Sequence, residues 1–219
     1  MTLALYGHHF SSYTQKALIA LYENATPFDF RRLGPDQPEN SAEWATLWPM
    51  KKMPVLVDGE RTLTETSIII EYLQLHHPGA VKLIPENPKA ALDVRFMDRF
   101  FDLHVMDAQQ VAVASKLGHI PMKPEDGLEL AKTRLEQAYG WLETYLKGRI
   151  WAVGESYSLA DAAASPSLFY ADWVYEIPER YENLRAYRAR LLKRPSFARA
   201  VEEARYFRAY FPLGAPDRD

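Results

Sequence analysis

The stretch KKMPVLVDGERTLTETSIIIEYLQL, residues 51–75, carries the residues best suited to hold a peptide-like ligand. Pro54 heads its most strand-like segment, a position tolerated where the missing N–H points away from the strand ladder. A cis Met53–Pro54 bond costs only about 0.5–1 kcal/mol relative to trans, and it would direct the Met53 N–H and C=O outward to pair with an extended ligand. The alternative is that Pro54 simply begins an edge strand in trans.

A second group follows in the triplet Thr64-Glu65-Thr66, which stands at the start of a predicted helix. The free N–H groups of a first helical turn, with the positive end of the helix dipole, favour an anion. A carboxylate there takes N–H and hydroxyl bonds from Thr66, while Glu65 pairs with an ammonium group. Adjacent partners for a carboxylate and an amine suit an α-amino-acid head group. The alternative is ordinary helix capping by Thr64.

Cysteine is absent from the 219 residues, so the chain has no disulfide, thiolate nucleophile or cysteine-ligated zinc site of its own. Any thiol that takes part in chemistry must therefore arrive on a ligand. The histidine pairs His8–His9 and His76–His77 lack the spacing that directs two imidazoles to one site, so no metal is expected.

Charge and hydropathy limit the classes of partner to be expected. The formal net charge of −3 and the pI of about 6.1 give no reason to expect a nucleic acid or an anionic membrane as partner. Nine Lys and Arg residues face three acids between 180 and 208, and we interpret them as the solvated side of two amphipathic helices. No apolar run approaches the roughly 18 residues that span a bilayer. The first ten residues do not resemble a signal peptide, so we expect a cytoplasmic location.

Short strand-like runs alternate with amphipathic patterns in the first third of the chain. The predicted elements are strand 3–6, helix 12–24, strand 27–33, a polar loop with a short helix, strand 54–58, a turn at Asp58–Gly59, strand 61–63 and helix 65–76. This order predicts a small mixed sheet covered by helices.

The chain beyond the Pro- and Gly-bearing stretch 76–89 is predicted to be helical, over 88–115, 124–147, 158–173, 180–193 and 195–204. The fold class is therefore α/β plus all-α. We predict a first domain at 1–78, a linker at 79–88 and an all-α domain at 89–219. The aromatic residues near the end either close a pocket or pack on the core, and the sequence leaves both open: Tyr206, Phe207, Tyr210 and Phe211.

Four stretches, in this order, resemble the cytosolic glutathione transferases. They are LYGHHFSSYTQKALIAL, MPVL with DG and LTETSIIIEYL, SLADAAASPSLFYADW, and ENLRAYRARLLKRPSFARAV. The resemblance covers essentially the whole chain and implies a thioredoxin-like domain followed by an all-helical one. It reads Ser158 and Asp161 as the N-cap and third-position acid of a buried helix. It also implies glutathione as co-substrate, a small electrophile as second substrate, and a homodimer.

The same resemblance assigns glutathione-binding roles. The backbone of Met53 before a cis Pro54 holds the tripeptide, and Glu65-Thr66 stands where the family usually has Glu-Ser. Lys52 is a candidate partner for a terminal carboxylate of glutathione.

Ser11 is the candidate that activates the thiol, because serine-type classes such as zeta and tau place a serine at this position. A hydroxyl bond to the sulfur near a helix N-terminus favours the thiolate over a free thiol of pKa about 8.5. Tyr6 is the rival donor, since other classes use a tyrosine near the end of this strand. Ser11 and Ser12 also suit capping of the first helix.

The resemblance leaves the second substrate open. His8, Phe10, Tyr13 and His104 are expected to line the electrophile pocket. Tyr13 stands where the zeta class has cysteine and Lys16 where it has arginine, which weakens maleylacetoacetate isomerisation without removing it. Conjugation, peroxide reduction and isomerisation stay open as reactions. The alternative function is a non-catalytic binding or regulatory module on the same fold.

Overall fold

A four-stranded mixed sheet forms the first part of the molecule. The structure is a computed structural model that describes residues 3–219, so the first two residues of the predicted domain 1–78 lie outside it. The sheet has the order β2-β1-β3-β4, with β1 and β2 parallel and the other two pairs antiparallel. Its strands are β1 (Leu3–Gly7), β2 (Phe28–Arg32), β3 (Val55–Asp58) and β4 (Arg61–Leu63). The mixed sheet predicted from the sequence is confirmed.

Three helices pack on this sheet, α1 (Ser12–Glu23), α2 (Pro38–Leu47) and α3 (Thr66–His76). Successive side chains of a strand point to opposite faces. Leu3 and Leu5 of β1 accordingly join the main hydrophobic core with α1 and α3, whereas Tyr6 belongs to a second cluster on the other face, which includes Trp44 of α2.

The rest of the chain is helical, as predicted, with helix ends within two residues of the predicted ones. The elements are α4 (Pro88–Phe100), a π-helical turn (Phe101–Met106), α5 (Asp107–Lys116), α6 (Pro124–Tyr145), α7 (Leu159–Val174), α8 (Glu182–Leu192), α9 (Pro195–Ala204) and a 3₁₀ turn (Arg205–Tyr210). The π turn, in which the Asp107 N–H donates to the Asp102 carbonyl, interrupts what the sequence predicts as one regular helix. Turns of this kind are frequent at functional sites.

Helix α7 is buried along its whole length, and Asp161 fixes its start. Ser158 and Asp161 form a reciprocal capping box, as predicted from the sequence. Asp161 Oδ1 also accepts from the Ala152 N–H at 2.8 Å and from the Tyr187 hydroxyl at 2.6 Å. Burial raises the pKa of the Asp161 carboxyl, while these bonds oppose the shift. One carboxylate thus ties α7, α8 and the loop before α7 together.

The two parts share one hydrophobic core that runs from the sheet through α1 and α3 into α4 and α7. Residues 77–87, between α3 and α4, have no regular secondary structure. The exact boundaries at 78 and 88 stay a prediction. In the part of the chain that the structure covers, no helix combines the length and the apolar character needed to cross a membrane.

Candidate active site

A cleft of about 980 Å³ lies between the sheet domain and the helical domain. This volume is in the range of small-molecule sites. The structure brings eight predicted site residues to its lining: Phe10, Ser11, Tyr13, Lys52, Met53, Pro54, Glu65 and Thr66.

The Met53–Pro54 bond is cis, as predicted. Pro54 immediately precedes β3, which has β1 on one side and β4 on the other. The alternative that Pro54 opens an edge strand in trans is therefore wrong. Among residues 3–219, no main-chain or side-chain hydrogen bond engages the Met53 backbone, which borders the cleft. The preceding turn is held from α2, where Trp44 Nε1 donates to the Lys52 carbonyl at 3.0 Å.

Helix α3 starts at Thr66, one residue later than predicted, and Glu65 occupies its N-cap position. Glu65 has φ 63° and makes no side-chain cap bond, so the alternative of capping by Thr64 does not describe this helix. A positive φ is uncommon outside glycine and is typical of functional sites, where surrounding structure maintains it. The exposed Glu65 carboxylate and the buried Thr66 therefore meet the cleft beside the free N–H groups of the first turn.

Ser11 is the N-cap of α1, where its Oγ accepts from the Thr14 N–H at 3.3 Å. The hydroxyl proton is left to donate elsewhere, because a hydroxyl is both a donor and an acceptor. Capping the helix and bonding a ligand sulfur are therefore compatible. The loop before Ser11 is fixed by α1, since Gln15 Nε2 donates to the His9 carbonyl at 2.9 Å. Gly7 permits the close approach: a Cβ there would lie 2.6 Å from Thr14 Cγ2.

Tyr6, the rival donor, is buried and does not line the cleft. Its side chain is 3% exposed and packs in the second hydrophobic cluster. Burial and the nearby Glu43 carboxylate raise the pKa of Tyr6 to about 12. The structure thus brings Ser11, and not Tyr6, to the cleft.

His8 and His104 do not line the cleft, which corrects the expectation for both. The His8 ring packs against Phe207 with ring centroids 4.4 Å apart, and burial lowers its pKa. His104 is exposed on the π turn and lines a separate cavity of about 390 Å³ beside Trp141. The sequence correctly predicts a helix around His104. It does not predict the π turn, which determines the side of the helix that faces the cleft.

A buried ionic cluster beneath the cleft was not predicted from the sequence. We call it the ionic floor, and it consists of Lys16, Ser67, Asp98, Arg99 and Asp102. Lys16 is only 1% exposed, and its Nζ lies 2.6 Å from Asp98 Oδ1, 2.8 Å from Asp102 Oδ2 and 3.1 Å from Ser67 Oγ. One feature of the sequence could have indicated this cluster. Lys16 lies four residues before Ala20 and therefore on the same, apolar face of α1.

Arg99 covers the ionic floor from the cleft side. Its Nη2 donates to Ser67 Oγ at 2.7 Å and to Asp102 Oδ2 at 2.5 Å. Burial raises the pKa of Asp102, and Lys16 opposes that rise. The charges of two cations and two carboxylates therefore balance one another in the ionic floor. This cluster includes Ser67, the residue that follows Thr66 in the chain.

Aromatic rings form the opposite wall of the cleft. Phe10 meets Tyr170 edge to face with centroids 5.4 Å apart, and Phe211 lies 6.4 Å from Phe10. Of the terminal aromatics, Tyr210 and Phe211 line the cleft, and Phe211 also packs on the core, so both sequence alternatives hold for it. Burial raises the pKa of Tyr13, whose hydroxyl donates to Asp107 Oδ1 at 3.4 Å.

The positive groups of the cleft are unevenly distributed. Its lining includes Lys51, Lys52 and Arg99. The two lysines directly precede Met53, and Arg99 belongs to the ionic floor. The Asp107 carboxylate, also in the lining, accepts from the Tyr13 hydroxyl. Within residues 3–219, the His, Asp and Glu side chains form no group of three arranged to hold a metal ion.

Two protein-family models match the chain. The model described as "Glutathione S-transferase, N-terminal domain" matches residues 5–81, and "Glutathione S-transferase, C-terminal domain" matches residues 125–190. A relative from Vibrio cholerae, named probable maleylacetoacetate isomerase, is 30% identical over 214 residues. That alignment covers 93% of this chain and 97% of the relative.

Solved structures show the same similarity. A glutathione S-transferase from Methylobacillus flagellatus KT with GSH bound is 28% identical, with a TM-score of 0.76 over 91% of this chain and 98% of that one. A maleylacetoacetate isomerase from Methylobacterium extorquens AM1, with bound malonate and GSH, shares the fold at 21% identity. Its TM-score is 0.75 over 99% of each chain.

Proposed function

The chain belongs to the glutathione S-transferase family, and we propose that it binds glutathione in the cleft and joins it through its sulfur to a small, uncharged electrophile. One observation carries the proposal. The Ser11 hydroxyl, the Met53 backbone and the Glu65–Thr66 helix start border one cavity, and that cavity continues to an aromatic wall. A polar tripeptide and an apolar second substrate need this combination of surfaces.

In the proposed complex, glutathione lies extended along the turn before Pro54. The Met53 N–H and C=O pair with its backbone as an added strand would. The γ-glutamyl ammonium pairs with Glu65, and its carboxylate takes the hydroxyl and N–H bonds of Thr66. Lys52 is exposed at the cleft and pairs with the other terminal carboxylate.

Ser11 activates the thiol in this scheme. Lowering a thiol pKa by two units requires about 2.7 kcal/mol of differential stabilisation, at about 1.36 kcal/mol per unit. A hydroxyl bond to a charged sulfur contributes about 1.5–3 kcal/mol, and the N-terminus of α1 adds about 0.3–1 kcal/mol. These two contributions cover the requirement, because Ser11 stands at the N-cap of α1.

The proposed reaction is substitution or addition at an electrophilic carbon. With a chlorinated nitroarene, the thiolate forms a C–S bond, the C–Cl bond breaks, and chloride leaves with the electron pair. The thiol proton passes to solvent when the thiolate forms. We favour an uncharged substrate because Phe10, Tyr170 and Phe211 offer it an aromatic surface, while the cations of the lining lie near the proposed glutathione contacts.

Isomerisation of maleylacetoacetate is the second candidate, favoured by the Vibrio cholerae relative with that name. There the thiolate adds to the cis double bond, the resulting single bond rotates, and elimination returns glutathione unchanged. The substrate is anionic, so it would meet the Asp107 carboxylate beside Tyr13. A product assay with both substrates separates the two candidates, because only conjugation consumes glutathione.

Glutathione binding is tested by calorimetry on the wild type, Glu65→Gln and the control Glu60→Gln, an exposed acid in the turn before β4. We expect Glu65→Gln to weaken binding by about 10-fold or more, since a hydrogen bond to a charged group is worth about 1.5–3 kcal/mol. Glu60→Gln should bind like the wild type. Equal affinity of all three would refute the role of Glu65. Binding without turnover of chlorodinitrobenzene, a peroxide or maleylacetoacetate would favour the non-catalytic alternative.

We also propose a cytoplasmic homodimer. An apolar stripe that includes Leu92, Phe96 and Leu103 is exposed along α4 and the π turn, with Trp141 of α6 beside it. Exposed apolar patches of this kind mark protein interaction sites. Light scattering should give twice the chain mass for the wild type and for Ile150→Asp, an exposed control elsewhere, and the single mass for Phe96→Asp. A monomeric wild type would reject the dimer.

A further inference from the structure

The last segment of the chain, residues 211–219, crosses from the 3₁₀ turn back onto α7, and we call it the strap. It has no regular secondary structure. Phe211 nevertheless is 7% exposed, and its ring lies 5.2 Å from Trp173 and 6.3 Å from Tyr170, both on α7. The strap is thus anchored at its start by aromatic packing.

Ion pairs fasten the far end of the strap at two points. Arg208 Nη1 donates to Asp219 Oδ1 at 2.7 Å, and Arg205 Nη2 donates to Asp219 Oδ2 at 2.9 Å. Arg218 lies 3.1 Å from Asp172 Oδ2 on α7. Arg208 also donates to the carbonyls of Pro216 and Arg218, so one guanidinium binds three residues of the strap. The Asp219 carboxylate pairs with two arginines of the 3₁₀ turn and bends the strap into a closed loop.

The start of this loop belongs to the cleft. Phe211 and Pro212 line it, directly after Tyr210. The Phe211 ring also meets Phe10, the residue next to Ser11. Anything attached to the sulfur near Ser11 therefore has the strap as a neighbouring wall. Loosening Asp219 would free Pro212 and Phe211 to move without touching Glu65, Thr66 or Met53.

We propose that the strap is a specificity wall of the electrophile half and that Asp219 is its positioning residue. The inference rests on the proposed function, in that it takes the sulfur to lie near Ser11. Asp219 does not line the cleft. By holding the strap, it nevertheless sets the affinity for an apolar group attached to the sulfur. The binding of glutathione itself should not depend on Asp219.

The test compares two ligands, glutathione and S-hexylglutathione, in which an alkyl chain is attached to the sulfur. Calorimetry gives the ratio of their affinities for the wild type, Asp219→Ala and the matched control Asp217→Ala. Asp217 is exposed in the same strap and takes part in none of the ion pairs described above. We expect Asp219→Ala to reduce the preference for the hexyl ligand by about 4- to 15-fold, the equivalent of one or two buried methylene groups. Asp217→Ala should keep the wild-type ratio.

The same affinity ratio measured at two ionic strengths tests whether ion pairs hold the strap. Raising the ionic strength from about 0.1 M to about 1 M shortens the Debye length from about 10 Å to about 3 Å and weakens exposed ion pairs. The wild-type preference should fall more than that of Asp219→Ala, which already lacks the Asp219 side-chain carboxylate and keeps the ion pairs of Arg218 for salt to weaken. An unchanged preference in Asp219→Ala, or equal salt responses of the two proteins, overturns the proposal.

A readout without glutathione separates this inference from the proposed function. Arg208 lies over the Trp173 ring at 4.8 Å, and Phe211 covers the same indole. Acrylamide quenching of Trp173, obtained by difference against Trp173→Phe, should increase in Asp219→Ala and not in Asp217→Ala. A wild type that binds neither ligand refutes the proposed function, and the quenching then decides whether Asp219 holds the strap. Equal quenching in both variants overturns that role.

Discussion

The ionic floor and the aromatic wall lie on two sides of one cleft and are held together by different forces. In the ionic floor, Lys16 is fully enclosed and held by two carboxylates at hydrogen-bond distance. In the aromatic wall, Phe10, Tyr170 and Phe211 meet ring to ring, with few directed bonds. A buried charge that loses its partner destabilises the fold strongly, whereas the stabilisation from apolar contacts varies gradually with the area that they bury.

The two sides should therefore tolerate substitutions unequally. Losing one member of the ionic floor leaves an uncompensated charge in the core that joins the two domains. Losing one member of the wall changes the shape of the space offered to a second substrate. The floor therefore suits an invariant ligand such as glutathione, and the wall suits a variable one.

The largest expected effect is on stability, from Lys16→Met. The substitution keeps the length of the side chain but leaves the buried Asp98 and Asp102 with Arg99 as their one remaining cation, so one negative charge is uncompensated. We expect the free energy of unfolding in urea to fall by about 3–5 kcal/mol. The control is Arg95→Met, which removes the half-exposed pair with Glu71 and should cost about 1 kcal/mol or less. Similar losses in both variants would contradict the distinction between a buried floor and a solvated pair.

The loss in the free energy of unfolding caused by Lys16→Met, called the deficit below, should depend on pH. Burial already raises the pKa of Asp102 in the folded state, and removing Lys16 removes the largest effect that opposes this rise. A carboxyl with a raised folded pKa takes up its proton more readily when folded, so the free energy of unfolding increases as the pH falls towards that pKa. The deficit measured at about pH 5 should therefore be smaller than at about pH 8, both above the ordinary aspartate pKa of about 3.9. Equal deficits at the two values would show that Lys16 does not govern Asp102.

The next effect is on rate, from Ser11→Gly. Glycine is preferred to alanine at an N-cap, with a cost of only a few tenths of a kcal/mol, so helix α1 should keep its start while the hydroxyl is lost. We expect a drop in the conjugation rate of up to about 10²–10³, with glutathione affinity nearly unchanged. The acid limb of the pH–rate profile should move upward, as the bound thiol's pKa returns towards its free value.

Tyr6→Phe is the control for this variant, because Tyr6 does not line the cleft and burial raises its pKa to about 12. Its profile should match the wild type. If Tyr6→Phe loses the activity and Ser11→Gly retains it, thiol activation belongs to Tyr6 after all.

The smallest effect is expected from His104→Ala. His104 lines the separate cavity beside Trp141 and not the cleft. The Michaelis constants for glutathione and for the electrophile should stay within about twofold, the range of an ordinary surface substitution. A selective rise in the constant for the electrophile would return His104 to the second-substrate site.

The parts of this molecule that were predictable from sequence are the local ones. Pro54 before an apolar run, the turn at Asp58–Gly59 and the Thr-rich start of α3 each act within a few residues. Their outcomes in the structure, the cis bond and the small mixed sheet, followed the prediction. The capping box of Ser158 and Asp161 was equally local and was also confirmed.

The ionic floor and the wall depend on contacts that no local pattern encodes. Lys16 meets Ser67, 51 residues away, and Asp102, 86 residues away. Phe10 meets Phe211 only after the helical domain has folded. His8 and His104 were misplaced for the same reason, since a residue type on a loop or helix does not specify its direction. The sequence alone thus predicts the glutathione side better than the electrophile side.

The π turn at Phe101–Met106 has a consequence for how such a protein diverges. Adjacent residues of a helix differ by about 100° in direction, so deleting one residue from this turn would rotate all of α5 relative to α4. Asp107, Gln110 and Ala114 would leave the cleft together, and other side chains of α5 would replace them. Asp98 and Arg99, which precede the turn, would keep their places. A single-codon insertion or deletion here can therefore exchange a whole row of substrate-facing residues in one evolutionary step.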